Sequence, residues 1–220
     1  MHNVQSSDMT ARLIFRRRLN DQRGFTLVDL LCVVALLGVV AAMAVPMTAS
    51  SMAAYRLKND AQAVFNLVTL AKMRAASRFT RTRVFVDRAA NTYRLEVLDR
   101  TTNTWTTEGP VNATSRGVAF GFGGLATAPP NTQAVIGQSS ECTDGSLVGG
   151  TGPIVANTAC ITFNSRGVPI QMTGVNIGAP NTSNAFYLTD GSTVYATTVT
   201  ATPLVRWWWS PIGNASWVQQ

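Results

Sequence analysis

Arg23-Gly24-Phe25-Thr26-Leu27-Val28-Asp29-Leu30-Leu31 joins a basic, polar leader to an apolar stretch without a break. One acid, Asp29, stands just inside the apolar part. A carboxylate at the edge of a bilayer is costly unless a positive group meets it, so this junction reads as an assembly element rather than a plain anchor. Upstream, Met1 to Gly24 hold five arginines and two aspartates. Downstream, Leu30 to Val45 is sixteen residues without a charge. Together with Phe25 to Val28 it reaches about the length of a helix that crosses a bilayer. The expected span is 25–47. Arg16-Arg17-Arg18 and Arg23 would stay cytoplasmic, and the bulk of the chain would lie on the other side.

An ordinary secretory signal is the alternative, with Ala42-Met43-Ala44 as a small-x-small cleavage site. Two features oppose it. Asp29 would fall inside the apolar region of that signal, and the sequence after Val45 continues as an amphipathic helix. Leu57, Ala61, Val64, Phe65, Val68 and Ala71 follow i, i+3, i+4 spacing. Arg56, Lys58, Asp60, Asn66 and Lys72 fall between them and are expected on a wet face. The pattern predicts one long helix over 25–78, roughly 80 Å in length. Pro46 lies where its two halves meet and is expected to kink it, because it removes one backbone bond and crowds the preceding turn.

After Phe79 the period changes to two. Arg83–Asp87 and Thr92–Leu98 read as paired strands around a turn containing Asn91. Further short strands are expected near Thr104–Thr107, Gly117–Phe122, Ala134–Gly137, Cys160–Phe163, Ala185–Thr189, Thr193–Val199 and Val205–Trp209, with Asp190-Gly191 as a hairpin turn. Gln138–Thr158 shows no period and reads as a loop. The fold class is therefore α+β: a long N-terminal helix, then an antiparallel β-rich module over 79–220.

The net charge of +7 is uneven. Tyr55 to Arg100 carries ten cations against four acids, whereas Thr101 to Gln220 carries three against four. Such a basic segment suits anionic headgroups, nucleic acid or an acidic partner, or it is simply a solvated helix face and hairpin. Of the three cysteines, Cys32 reads as a small apolar residue of the span. Cys142 and Cys160 flank a loop. They would either pair in an oxidising compartment, worth about 3 kcal/mol by loop-closure entropy, or remain two free thiols. No zinc spacing exists. The single histidine, His2, lies in the leader, the carboxylates are scattered, and no metalloprotease, phosphate-loop or nucleophile-elbow motif occurs. An enzyme is not expected, nor is a cofactor. Trp207, Trp208 and Trp209 are consecutive, so in a strand Trp207 and Trp209 share one face and Trp208 takes the other. At least one of them is expected to be exposed, either as a partner contact or as a lid on the core. Arg206 beside them would suit nucleic acid by charge and stacking.

Gly24-Phe25-Thr26-Leu27-Val28-Asp29-Leu30-Leu31 resembles the type III signal of type IV pilins and type II secretion pseudopilins, Gly-Phe-Thr-Leu-x-Glu followed by an apolar helix. The resemblance implies a prepilin. A prepilin peptidase would remove 1–24 by cutting between Gly24 and Phe25, and would N-methylate Phe25. Asp29 would then be the assembly carboxylate that meets an amine, within its own chain or on a neighbour, or else a plain helix-start acid at headgroup level; here it replaces the family's usual Glu. Pro46 falls where many of these proteins kink. More loosely, Cys160-Ile161-Thr162-Phe163-Asn164-Ser165-Arg166-Gly167 and the late Phe186-to-Asp190 strand resemble the GspH/FimT group of minor pilins and pseudopilins. The implied partners are other pilin or pseudopilin subunits and an inner-membrane assembly platform. The implied location is the bacterial inner membrane, single-pass, with the C-terminal domain extracytoplasmic. The implied role is initiation or capping of a type II secretion pseudopilus or type IV pilus. A tip subunit that binds DNA or a secreted substrate is the alternative. Some FimT-like proteins bind DNA through a Gly-Arg-x-Arg tail, whereas this chain has Pro203-Leu204-Val205-Arg206.

Overall fold

The computed structural model describes residues 24–214 and 216–220, with side chains for all of these except 44–50. Residues 1–23 of the expected leader lie outside the described residues. The chain divides into two compact units, Met1–Ala49 and Ser50–Gln220.

One helix, α1 (Leu27–Arg78), accounts for 52 residues. In the first unit every side chain described from Phe25 to Met43 is exposed, and nearly all are apolar. A helix that is apolar all round needs lipid or other protein around it. Among the residues whose side chains are described, no helix is long and apolar enough to cross a membrane. That part of α1 ends at Met43, and 17 residues from Leu27 rise only about 25 Å, short of a bilayer core of about 30 Å. The helix continues past Pro46 in its backbone. The expected kink involves side chains outside the described residues.

In the second unit α1 presents Leu57, Val64, Val68, Ala71 and Ala75 to one apolar cluster, all essentially inaccessible. Two of the residues expected on the wet face are drawn inward. Asp60 is buried because its carboxylate accepts from the Ser115 backbone N–H (2.6 Å) and hydroxyl (3.1 Å). Lys72 donates through Nζ to the Pro203 carbonyl at 2.8 Å. These polar pins fix the helix to loops from both sheets. The helix ends at Phe79, whose positive φ of 50° breaks the helical backbone.

The first sheet comprises β1 (Thr82–Asp87), β2 (Thr92–Asp99), β3 (Thr104–Ala113), β7 (Thr158–Phe163) and β8 (Pro169–Ile170), in the order β3-β2-β1-β7-β8. The second comprises β4 (Ala119–Phe120), β9 (Asn184–Thr189), β10 (Thr193–Val199), β11 (Val205–Pro211) and β12 (Val218–Gln219), in the order β12-β11-β10-β9-β4. All pairings are antiparallel. A small hairpin of β5 (Cys142–Thr143) and β6 (Ile154–Val155) stands apart. This is the expected α+β, pilin-like layout, with the β-rich part split into two sheets.

Strand alternation places the core. Val84, Val86, Tyr93, Leu95, Ile161 and Phe163 from the first sheet meet α1 together with Phe186 and Leu188 from the second. The odd members of β9, Ala185 and Tyr187, face the opposite way. There they join Val194, Ala196 and Trp208 in a second cluster closed by Leu125 and the flanking loops. The sheet period of two thus divides one strand between two cores.

Two expectations are corrected. Ala134–Gly137 forms no strand. The Gln138 side chain instead takes the place of a backbone neighbour to β9, accepting from Tyr187 N–H (3.0 Å) and donating to Tyr187 C=O (2.8 Å). Gln138–Thr158 is not structureless, because it contains β5, β6 and a 3-10 turn at Val148–Gly150. The Asp190-Gly191 hairpin forms as expected, with Gly191 at φ 89°. Burial raises the Asp190 carboxyl, but the bonds it accepts from Ser192 and Thr193 outweigh this and hold it below the ordinary aspartate value.

Candidate functional site

The junction has a defined local geometry. Gly24, Phe25 and Thr26 precede the helix, and Gly24 and Phe25 are exposed. The Gly24–Phe25 peptide therefore lies in non-helical backbone, where a protease can bind an extended chain. Thr26 is the N-cap, since its carbonyl accepts the first helical bond, from Leu30 N–H at 3.3 Å. Asp29 stands at the third helical position. Its Oδ2 accepts from the Thr26 backbone N–H (3.1 Å) and hydroxyl (2.8 Å). In return, Thr26 Oγ1 accepts from the Asp29 backbone N–H at 3.3 Å. This is a reciprocal capping box with aspartate in the role usually taken by glutamate. The carboxylate also lies in the first turn, where the helix dipole favours negative charge. Asp29 Oδ1 accepts no hydrogen bond among the described residues, so one oxygen is left for an incoming donor.

Cys142 and Cys160 are joined by a disulfide. The bond fastens the β5–β6 hairpin onto the face of the first sheet that points away from α1. The same hairpin is held by Thr143 C=O, which accepts from Arg83 Nη1 at 2.7 Å. Trp105 Nε1 bonds to Gly150 C=O at 3.1 Å. Replacing both cysteines by serine is expected to lower the stability of this unit by about 3 kcal/mol through the lost loop closure. Urea unfolding of the full chain in non-ionic detergent, with and without reductant, measures this. An unchanged midpoint in the double variant would mean that the hairpin's hydrogen bonds alone restrain the loop.

The three tryptophans share faces as expected, but none is exposed. Trp208 is buried in the second cluster and donates to Thr198 Oγ1 at 2.9 Å. Trp207 is half-buried. It stacks on Tyr195 with ring centroids 5.4 Å apart and meets Phe65 of α1 at 6.3 Å. Trp209 is half-buried beside Tyr195, Asp190 and Gln220. One face of β11 is turned to α1 and the other to the loop carrying Leu125, so Trp207 packs on the first core and Trp208 lies in the second. Arg206 is half-buried and has no carboxylate partner among the described residues.

Four of the ten cations of the basic segment are paired with acids. Arg83 and Arg94 share Glu96, at 2.6 and 2.7 Å. Arg74 and Arg78 share Glu108, at 3.0 and 3.2 Å. The Arg83–Glu96 pair, buried in the sheet, is not singled out by any sequence motif. The hint was only a cation and an acid at outward positions of adjacent strands. By contrast, the Thr26-x-x-Asp29 box stands in the sequence as a Thr/Ser-x-x-acid run before an apolar helix. No group of metal-ligating side chains forms among the described residues.

The fold and the junction define a class: a long helix with a capped, apolar start after non-helical backbone at 24–26, followed by a β-rich part. A family model, the prokaryotic N-terminal methylation motif, matches residues 19–45. The match supports a type IV pilin-like prepilin signal, and with it a pilin- or pseudopilin-like subunit that is a structural protein assembling with other pilins. No curated protein and no solved structure matches the chain significantly.

Proposed function

We propose that the chain is a minor pilin or pseudopilin of the GspH/FimT type, made as a prepilin, cut between Gly24 and Phe25 and methylated on Phe25. It is held in the bacterial inner membrane by 25–47 and extracted into a type IV pilus or a type II secretion pseudopilus. Its role is structural, at initiation or at the tip. The observation that carries this reading is the matched methylation motif, near whose start an accessible Gly24–Phe25 bond lies one residue before a capped apolar helix. Cutting there creates a free amine at the start of the span. Asp29 has one carboxylate oxygen engaged with Thr26 and the other open. An amine and a carboxylate in a medium of low dielectric attract strongly, and each lowers the other's burial cost. Pairing between neighbouring chains would fix the axial register of packed helices. The exposed apolar surface of Leu27–Met43 supplies the area that such packing covers.

Mass spectrometry of the mature N-terminus tests this directly. The expected species begins at Phe25 and is heavier by one methyl group on its amine. A mature chain beginning at Val45 would mean an ordinary secretory signal and would remove the proposal.

A further inference from the structure

Of the cations without an ion-pair partner among the described residues, three gather at one place, and one of these, Arg81, also donates through Nη1 to the Gly149 carbonyl. Arg81, Arg100 and Arg166 line one groove of about 470 Å³, together with Asn103, Asn164 and Ser165. They come from three separate places in the chain: the start of the β-rich part, the end of β2, and the turn after β7. None of the three arginines makes an ion pair among the described residues, and no carboxylate lines the groove. The nearest acid in sequence, Asp99, lines an adjoining groove and takes its bonds from the Thr101 and Thr102 N–H groups. The amides of Asn103 and Asn164 accept backbone bonds through Oδ1, from Gly149 and from Arg166 and Val168, which leaves their N–H groups to donate. The Arg81 guanidinium is pushed below its ordinary value, first by burial and then by the like charge of Arg100. Three like charges around one cavity are unfavourable until an anion enters.

Compensation of the helix dipole is the rival explanation. Arg78 already supplies a cation in the last turn of α1, and Arg100 and Arg166 belong to other elements. The number of arginines selects the anion. A single carboxylate would leave two of them unneutralised, whereas a phosphoryl group carries more charge and offers oxygens on several sides to guanidinium forks. The groove also stands at the end of α1, about 42 Å along the helix from Ser50, where this unit begins.

We propose that the groove between Arg81, Arg100 and Arg166 is a binding site for a phosphoryl group. It is independent of the prepilin reading and of Asp29. The test uses the full chain in non-ionic detergent, with inorganic pyrophosphate as the probe, by calorimetry at constant ionic strength. Arg100→Gln and Arg166→Gln alter exposed side chains, so the fold should persist, which circular dichroism checks. Each is expected to weaken binding at least about tenfold, the loss of one charge-assisted interaction. Arg116→Gln removes the same charge from an exposed position outside the groove and should leave affinity unchanged. A short thymidine oligonucleotide identifies the source. If it competes with pyrophosphate in the wild-type chain, and its own binding is lost in the Arg100→Gln/Arg166→Gln double variant, the phosphoryl group belongs to a nucleic acid. If it does not compete, the ligand is a small phosphorylated molecule. Absence of pyrophosphate binding, or equal weakening by Arg116→Gln, overturns the proposal. Neither outcome would change the mass of the mature N-terminus.

Discussion

Glu96→Ala is expected to destabilise the β-rich unit by about 3–5 kcal/mol, because it leaves a buried charge without its partner. Arg83 is 3% exposed and Glu96 is 4% exposed. Glu96 accepts from Arg83 through one oxygen and from Arg94 through the other. The Arg83 guanidinium also lies 4.1 Å from the Trp105 ring centroid, and that of Arg94 lies 3.9 Å from the Phe85 ring. Burial lowers the Arg83 pKa and Glu96 opposes that shift, so removing the carboxylate strands a cation that cannot shed its proton near neutral pH. The β5–β6 hairpin loosens too, since Thr143 is held by the same guanidinium. Replacing both members, Arg83→Met with Glu96→Leu, should recover most of the loss. An apolar pair of similar volume avoids the desolvation cost of two ions. Urea unfolding of the full chain in non-ionic detergent separates the cases. If Glu96→Ala stays within about 1 kcal/mol of wild type, water reaches Arg83 and the pair is not closed to solvent.

This pair also shows what the sequence could not reveal. The helix, its apolar stripe and the main hairpins were legible, because periodicity of 3.6 or 2 is a local property. Val64, Val68 and Ala71 are buried as the spacing predicts, and the β9–β10 hairpin turns at Asp190-Gly191. What failed depends on contacts between distant segments. Asp60 looked like a wet-face acid until Ser115, 55 residues away, bonded to it. Ala134–Gly137 had strand-like composition, but the Gln138 side chain took the place of a strand pairing. At least one ring of the tryptophan run was expected to be exposed, yet Trp208 is buried and Trp207 and Trp209 are half-buried, because α1 and the loop carrying Leu125 pack against them. The large positive charge of 55–100 reads either as a solvated helix face and hairpin or as a binding surface, and the sequence does not show which cations are paired. Four of them are paired with Glu96 and Glu108, and a local groove remains. At the junction the order of residue types was legible because the signal is contiguous. The division of Asp29 between two roles was not, because it depends on which oxygen Thr26 occupies.

Asp29→Asn is expected to leave cleavage after Gly24 intact and to reduce incorporation into filaments at least about tenfold, as a buried charge-assisted interaction is lost. The comparison isolates the charge. An asparagine side chain still offers an oxygen to the Thr26 N–H and hydroxyl, so the capping box survives in part, whereas the attraction for an amine in low dielectric does not. Thr26→Ala does the reverse. It removes the cap, at a cost of about 1 kcal/mol in helix stability, and leaves the carboxylate in place, so incorporation should persist. Asp29→Glu keeps both features with one more methylene. It should incorporate as well as wild type if the open oxygen only has to reach a neighbouring chain's amine. The measurement is the ratio of this subunit in sheared filaments to that in the membrane fraction, by immunoblot, with the mature N-terminus verified by mass. Should Asp29→Asn enter filaments normally while Thr26→Ala does not, Asp29 acts only through the helix start, and register is set by apolar packing along Leu27–Met43 alone. If instead Asp29→Asn is excluded and Thr26→Ala is not, a side chain that looks satisfied within one chain is working between two. The open Oδ1 allows that, because Thr26 bonds only to Oδ2.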